Sequence, residues 1–515
     1  MDKETIKFFL RDNTNLALIL LLAFSIILRL FYFFKLGIQP VWWDEGDYLA
    51  ISKVWSIGMQ IPEWWSHFTG MRPILLPLIW TIFFKAGLGE LSIRFFTILL
   101  PSLGTIYLTY LLGKDLYSKK VGIIASLMMS TYWVFFFYSF RLLTDIPSVF
   151  LGLAAFYLFW TYYIKERKSW GLYLSIFFGV LAFSIRFPLA LVLISCAIYL
   201  LFIKKWFLFK DRTFWKALAL LVALLSPYMI YFISTKFFLF NFYFGEGAVS
   251  IKQKIAWNLI PMIGILIHST WAIAFIIGLI TFIPLVIGFD VVWKQKNKTL
   301  NSDLFVFIWL LVHFIFYVII FRAGNDRWLL MLMPAIFLIA SRGIISTYDF
   351  LKKYSKGIAT VVLILFLAVG AYQNLNHGIE LTEQKKLTYN EIKIAGEWLK
   401  ENSPKDSKVI TASIVQNQYY SERQSYDFFS NKSALPKGCT DLLGNTLDTE
   451  ECQTASEKIF NEKISEVNPN YLIVSIFEPV FTPKWVYTYP ERNNLTALAA
   501  FPNNQQPALV IYRFN

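Results

Sequence analysis

Long, nearly uncharged apolar runs recur along the first three quarters of the chain. They lie at about 15–34, 93–112, 121–139, 146–164, 171–185, 188–203, 214–235, 262–288, 303–321, 328–346 and 357–373. In hydrocarbon, backbone N–H and C=O groups must find partners within the protein, which limits spanning segments to helices and closed barrels. Runs of this length match helices that cross a bilayer. One further stretch, Pro73–Lys85 continuing to about Gly89, is shorter. At roughly 16 residues it makes a helix of about 24 Å, against a hydrocarbon core of about 30 Å. It carries Pro77 inside and Lys85 near its end, and is expected to lie in the interface rather than cross. The pattern therefore predicts a polytopic α-helical membrane protein with about eleven spanning helices.

Past residue 373 the pattern changes to that of a soluble domain. Asn390–Glu401 has helical spacing, with Ile392, Ala395, Trp398 and Leu399 on one face. Val409–Val415, Tyr471–Ile476 and Ala508–Arg513 read as strands. The expected division is a membrane domain over 1–373 and a small α/β domain over 374–515.

Charge orients this arrangement. The chain has 515 residues, 57% hydrophobic and only 16% charged, with a formal net charge of +14. That excess does not point to nucleic acid. Residues 1–373 hold 34 Lys and Arg against 17 Asp and Glu, whereas residues 374–515 hold 14 against 17. The surplus falls in short clusters between apolar runs, as the positive-inside rule describes. With Pro73–Lys85 not crossing, the clusters around 114–120, 165–168, 204–212, 294–298 and 352–356 share a face with Lys3, Lys7 and Arg11. That face is read as cytoplasmic, in a multi-pass protein of the cell membrane, with the C-terminal domain outside. Residues 15–34 are long enough to span and no small-residue cleavage site follows, so they are expected to remain as an anchor. Cys196 reads as a small core residue, while Cys439 and Cys452 can pair if the tail lies outside.

This topology gathers the charges that are not cytoplasmic anchors on the external edge. The densest group is Trp42-Trp43-Asp44-Glu45-Gly46-Asp47. Three carboxylates just past a membrane helix are costly near lipid, and two tryptophans suit the interface. Asp44 reads either as a chemical group or as the N-cap of a surface helix, with Asp47 at its third position. Asp145, in Asp145-Ile146-Pro147 at the start of the fourth span, carries the same two readings. Arg186, in Arg186-Phe187-Pro188, needs an anionic partner, either a carboxylate or a ligand phosphate. Arg94 opens the second span, where an arginine can also snorkel. His67 with Asp44 could hold a metal or be a solvated loop histidine. His268 and His313 read as satisfied interior groups. The sequence carries no Gly-rich phosphate loop, no paired-cysteine zinc spacing and no Gly-x-Ser-x-Gly turn.

Taken together, these short motifs resemble a family. They are the Asp44-Glu45 pair after the first span, Arg72-Pro73 opening a flat helix, Arg94 before the next span, Asp145-Ile146-Pro147, Arg186-Phe187-Pro188, and Arg327-Trp328-Leu329-Leu330 running to Pro334. Over residues 1–350 the chain is similar to GT-C membrane glycosyltransferases of the protein O-mannosyltransferase and aminoarabinose-lipid A transferase type. The tail, through Gly396-Glu397-Trp398-Leu399 and Tyr419-Tyr420-Ser421, resembles the external α/β domains of prokaryotic relatives. The family's basic-Pro-Pro signature is here followed by Ile74, and Arg72 stands where many relatives have lysine.

The resemblance implies an inverting transfer of a sugar from a polyprenyl-phosphate donor to an acceptor hydroxyl on a protein, lipid or glycan, on the extracytoplasmic face. It implies Asp44 as the base, with Glu45 and Asp145 orienting it or holding a divalent cation (Mg, Mn or Zn), to which His67 is a candidate contributor. Arg72, Arg94, Arg141, Arg186 and Arg327 are implied on the substrate. Membrane lipids are expected partners and nucleic acid is not. Two alternatives are weighed against this reading. A lipid or polar-solute transporter or flippase would place charges near the midplane on repeated, broken helices, and no such repeat is visible. A non-catalytic glycan-binding membrane protein would be indifferent to Asp44.

Overall fold

The computed structural model describes residues 13–61, 72–235, 251–280, 298–321, 326–429, 439, 449–479, 482–502 and 506–514. By its internal contacts the chain forms two compact units, both discontinuous in sequence. One comprises Met1–Gly37, Gly70–Leu75 and Leu91–Glu383; the other comprises Ile38–Thr69, Leu76–Glu90 and Gln384–Asn515.

The first unit is helical. Seven helices of the chain are long and apolar enough to cross a membrane, among the described residues: Asn13–Leu36, Glu90–Leu116, Asp145–Lys165, Phe187–Lys210, Arg212–Ser234, Asn301–Ile320 and Lys356–Asn402. Shorter apolar helices run over Ser169–Ile185 and Trp271–Ile280. The run expected over 121–139 is broken at Tyr132 into Lys119–Thr131 and Trp133–Tyr138. The run at 328–346 begins as a 3-10 turn, Asp326–Met331, and continues as Met333–Lys352. Small residues set the closest approaches, as is usual between helices in lipid. A Cβ on Gly113 would stand 2.6 Å from the Gly122 Cα, and one on Gly343 would stand 2.4 Å from the Ala274 carbonyl oxygen. Segments of π-helix follow Arg94 (Phe95–Leu99) and precede residue 321 (Ile315–Ile320). Such segments often sit beside functional residues.

The second unit holds a five-stranded mixed sheet. Its strands are β1 (Lys408–Ile410), β2 (Gln424–Tyr426), β3 (Tyr471–Ser475), β4 (Thr496–Phe501) and β5 (Leu509–Arg513), in the order β2-β1-β3-β5-β4. β1 pairs in parallel with β2 and β3, and β5 pairs antiparallel with β3 and β4. Alternate residues of a strand point to opposite faces, so each face has its own core. Tyr471 and Ile473 pack with Ile392, Ala395 and Leu399 of the helix Asn390–Asn402, with Trp398 beside them. Leu472 and Val474 pack instead with Phe428, Trp485 and Phe460, the last from the helix Glu450–Val467. Cys439 and Cys452 are disulfide-bonded.

The expected strand Val409–Val415 is corrected. The extended backbone stops at Ile410, and Ile414–Ser421 is a helix, every residue of which is buried. That helix packs on the loop elements of its own unit. Tyr420 Oη accepts from Val41 N at 2.8 Å, Tyr419 Oη donates to Glu90 Oε1 at 2.6 Å, and Gln418 Nε2 donates to the Gln60 carbonyl at 2.9 Å. The stretch expected to lie flat is the helix Leu75–Lys85. Its 11 residues make about 16 Å, too short to cross.

Candidate active site

In the helical unit, charges converge where helices end. Asp145 is the first residue of the helix Asp145–Tyr157, whose N-cap is Thr144. Asp145 therefore caps nothing, and its carboxylate is turned to two cations. Arg186 Nη1 lies 2.7 Å from Asp145 Oδ1, and Arg327 Nη1 lies 4.0 Å from Oδ2. The Asp145 side chain is 2% exposed, those of Arg186 and Arg327 14% and 16%. Each arginine sits where regular helix fails. Arg186 has extended backbone at the end of Ser169–Ile185, ahead of the Phe187–Leu189 turn, and Pro188 cannot continue a helix through that point. Arg327 lies in the 3-10 segment Asp326–Met331.

A second acid joins this edge, one that the sequence reading passed over. Asp326 Oδ1 accepts from Tyr138 Oη at 3.0 Å and from Arg327 N at 2.7 Å. Burial holds the Asp326 carboxyl above the usual carboxylate range, although these donors and the Arg327 charge pull the other way. The available signal was its place between Asn325 and Arg327 in a charged loop bounded by apolar runs. Arg141 is fully buried in the same unit. Asp145 with Arg186 and Arg327 carries one net positive charge, which Asp326 beside Arg327 offsets only when it is ionised. Such a surplus in a nearly dry site favours an anion, and guanidinium is the side chain best suited to a phosphate.

Arg94 is committed elsewhere. It is 2% exposed, and its Nη1 donates to the Gly37 carbonyl at 2.6 Å, holding the end of the first membrane helix. Arg29, inside that first helix, also went unremarked in the sequence. It is fully buried, donates to the Ser130 carbonyl at 3.0 Å, and lies over the rings of Phe135 and Phe136.

In the second unit, the helix Trp43–Ile57 has Trp42 as its N-cap. Asp44 is consequently not the cap but a first-turn residue, where a carboxylate meets the positive end of the helix. The capping is done by Glu45, whose Oε2 accepts from Trp42 N at 2.7 Å. Glu45 and Asp47 are buried, and Asp44 is half-buried. Behind this turn stands the helix Ile414–Ser421. A Cβ on Gly46 would lie 2.7 Å from Val415 Cγ1. Lys53 ties the two helices together, donating to the Tyr419 carbonyl at 2.9 Å and pairing with Glu422 at 2.9 Å. Gln416 is fully buried with both amide atoms unpartnered among the described residues. Arg72 lies at the edge of the described residues, and His67 lies outside them.

Asp145 does not fit a divalent cation. Its carboxylate already faces two guanidiniums, which would repel one. Among the described residues no group of three or more His, Cys, Asp or Glu stands close enough to hold a metal ion.

Comparison with known proteins bears on this geometry. Residues 71–231 match the dolichyl-phosphate-mannose-protein mannosyltransferase family. No curated protein matches by sequence. ArnT from Cupriavidus metallidurans is similar over 96% of this chain and 97% of its own, with a TM-score of 0.61 and 11% identity. The chain has the GT-C fold. A second ArnT structure, with the same similarity, holds undecaprenyl phosphate. The Archaeoglobus fulgidus oligosaccharyltransferase is similar over 90% of this chain and 69% of its own (TM-score 0.55, 13% identity), and one structure of it is a complex with Zn and sulfate. The arabinofuranosyltransferase AftD from Mycobacteria is similar over 96% of this chain and 39% of its own (TM-score 0.56, 12% identity).

Proposed function

We propose that this GT-C protein is an inverting glycosyltransferase that moves a sugar from a polyprenyl-phosphate donor to an acceptor hydroxyl at the extracytoplasmic face of the cell membrane. The observation that carries the reading is the buried Asp145 flanked by Arg186 and Arg327, at the end of a membrane helix, with one positive charge in surplus. A lipid-linked phosphate brings the anion that such a group attracts. The undecaprenyl phosphate bound by ArnT and the family match over 71–231 support the same class.

In this proposal Asp44 takes the proton of the acceptor hydroxyl as its oxygen attacks the anomeric carbon. The bond from that carbon to the phosphate oxygen breaks, and the configuration inverts. Arg186 and Arg327 stabilise the charge that grows on the departing phosphate. General-base help is typically worth about 10²–10⁴ in rate, and donors aimed at developing charge about as much again. Asp145 holds the two arginines in place. Glu45, through its cap, fixes the turn that carries Asp44; Arg94 holds the end of the first membrane helix, and Arg141 is assigned to the donor side. Arg72 is assigned to the acceptor or carrier side. The chain from 374 onward is read as the external domain, and its disulfide suits an oxidising compartment. The transferred sugar belongs to the hexosyl or pentosyl class.

The test is to incubate purified protein with a panel of polyprenyl-phosphate sugars and follow the release of polyprenyl phosphate. Asp44→Asn is expected to lose turnover about 10²–10⁴-fold while still binding the carrier. Turnover undiminished in Asp44→Asn, or no donor consumed from the panel, would overturn the assignment. Adding EDTA to the same assay decides whether Asp44 acts as a base alone, with turnover unchanged, or with a bound divalent cation, with turnover lost.

A further inference from the structure

At the far end of the same helical unit is a second polar chamber that the proposed reaction does not use. The membrane helix that starts at Asp145 ends at Lys165, 21 residues and about 31 Å away. Around Lys165 lies a cavity of about 810 Å³, within the size range of small-molecule sites.

Its lining is of two kinds. One is Lys165, Arg167 and Arg342 with Ser118, Ser302 and Ser346. The other is the apolar Val121, Trp160, Ile164 and Ile345. The one acid in the lining, Asp115, and the neighbouring Asp303 and Glu166 are already engaged. Asp115 accepts from Thr161 Oγ1 at 2.8 Å and pairs with Lys165 at 3.1 Å. Asp303 pairs with Arg342, whose guanidinium lies over the Tyr117 ring at 4.8 Å. Glu166 pairs with Lys168. Arg167, between Glu166 and Lys168, takes no ion pair among the described residues and lies, with a φ of +57°, in the connection between Leu158–Lys165 and Ser169–Ile185. Ser118 is the N-cap of Lys119–Thr131, so the positive end of a helix faces the same space. One unspent guanidinium, a second that is held flat, a helix N-terminus and three hydroxyls describe a receptor for a phosphate. The apolar lining, between helices at the membrane edge, suits the chain that a lipid phosphate carries.

We propose that this cavity binds a phosphate headgroup, that of an anionic lipid of the leaflet opposite Asp145. The inference stands independently of the glycosyltransferase reading. The shared chemistry is the phosphate; the source is either a lipid or a soluble anion.

Native mass spectrometry on the full chain, exchanged from phosphatidylglycerol–phosphatidylcholine mixtures, separates them. Wild type should retain phosphatidylglycerol at least 10-fold over phosphatidylcholine. Arg167→Glu and the space-filling Ser346→Trp should each cut that preference at least five-fold, and Lys353→Ala, an exposed cation outside the cavity, should not. In a parallel arm, 10 mM inorganic phosphate is added to delipidated protein. A thermal shift lost in Arg167→Glu, without lipid selectivity, supports the phosphate site and assigns it to a soluble anion. No lipid preference and no phosphate shift, or a preference unaltered in both cavity variants, overturns the proposal.

Discussion

Replacing Arg186 by methionine tests the buried charges directly. Methionine approximates the length of the arginine stem and removes only the guanidinium. At an effective dielectric of about 20, opposite charges 2.7 Å apart attract by about 6 kcal/mol, and at 4.0 Å by about 4 kcal/mol; these are the Arg186–Asp145 and Arg327–Asp145 separations. Those attractions offset the cost of desolvating Asp145, which is several kcal/mol for a buried ion. Arg186→Met leaves the carboxylate with the more distant partner alone, and should cost about 3–5 kcal/mol. Arg327→Met leaves the closer partner and should cost less, about 1–3 kcal/mol. The double variant Asp145→Asn/Arg186→Met should recover at least about 2 kcal/mol relative to Arg186→Met, because the buried carboxylate is then gone and Arg327 keeps Asp326 beside it. The assay is the thermal midpoint and unfolding rate in detergent, with all variants compared in one micelle. A midpoint that Arg186→Met leaves unchanged, or a double variant less stable than Arg186→Met, would refute the reasoning. Carrier binding gives a second readout. Losing a charge-assisted hydrogen bond of about 1.5–3 kcal/mol should weaken polyprenyl-phosphate binding about 10–100-fold.

Two predictions concern the second unit. Gly46→Ala puts a methyl group 2.7 Å from Val415 Cγ1; a β-branched neighbour has little rotamer freedom to give way, so the change should cost about 1–3 kcal/mol, read as faster proteolysis of that unit. The Glu422 carboxyl is held below its ordinary value of 4.5: burial alone would raise it, but Lys400 at 2.8 Å and Lys53 at 2.9 Å outweigh burial. A depressed carboxylate adds stability above its unfolded value and loses it as pH falls through the lower folded one. Glu422→Gln should therefore be about 0.5–1 kcal/mol less stable than wild type at pH 7, discounted for partial exposure, and the gap should narrow as pH falls below the ordinary value of 4.5. A gap that stays constant from pH 7 to pH 3.5 would contradict it.

The sequence alone determined the class of solvent each segment meets. Apolar runs, their lengths and the basic clusters between them are local quantities, because a helix in lipid satisfies its own backbone and each span declares itself separately. It also marked Arg186 as an expensive residue in need of a partner, and Asp145 as either a chemical group or a helix cap. Tertiary structure decided which partners they take, since Asp145, Arg186 and Arg327 come from different helix ends far apart in the chain. The same holds for the acids near the first membrane helix. On paper Asp44 has the claim to cap a helix, with Asp47 at its third position, and only the start of that helix at Trp43 gives the capping hydrogen bond to Glu45. Val409–Val415 fits a strand by composition, yet buried packing beside the Gly46 turn makes Ile414–Ser421 a helix. The roles of Asp326 and Arg29 were not legible for a related reason. A lone charge in a sequence has a cost but no address, and its address comes only when Tyr138 or Ser130 is brought beside it by packing.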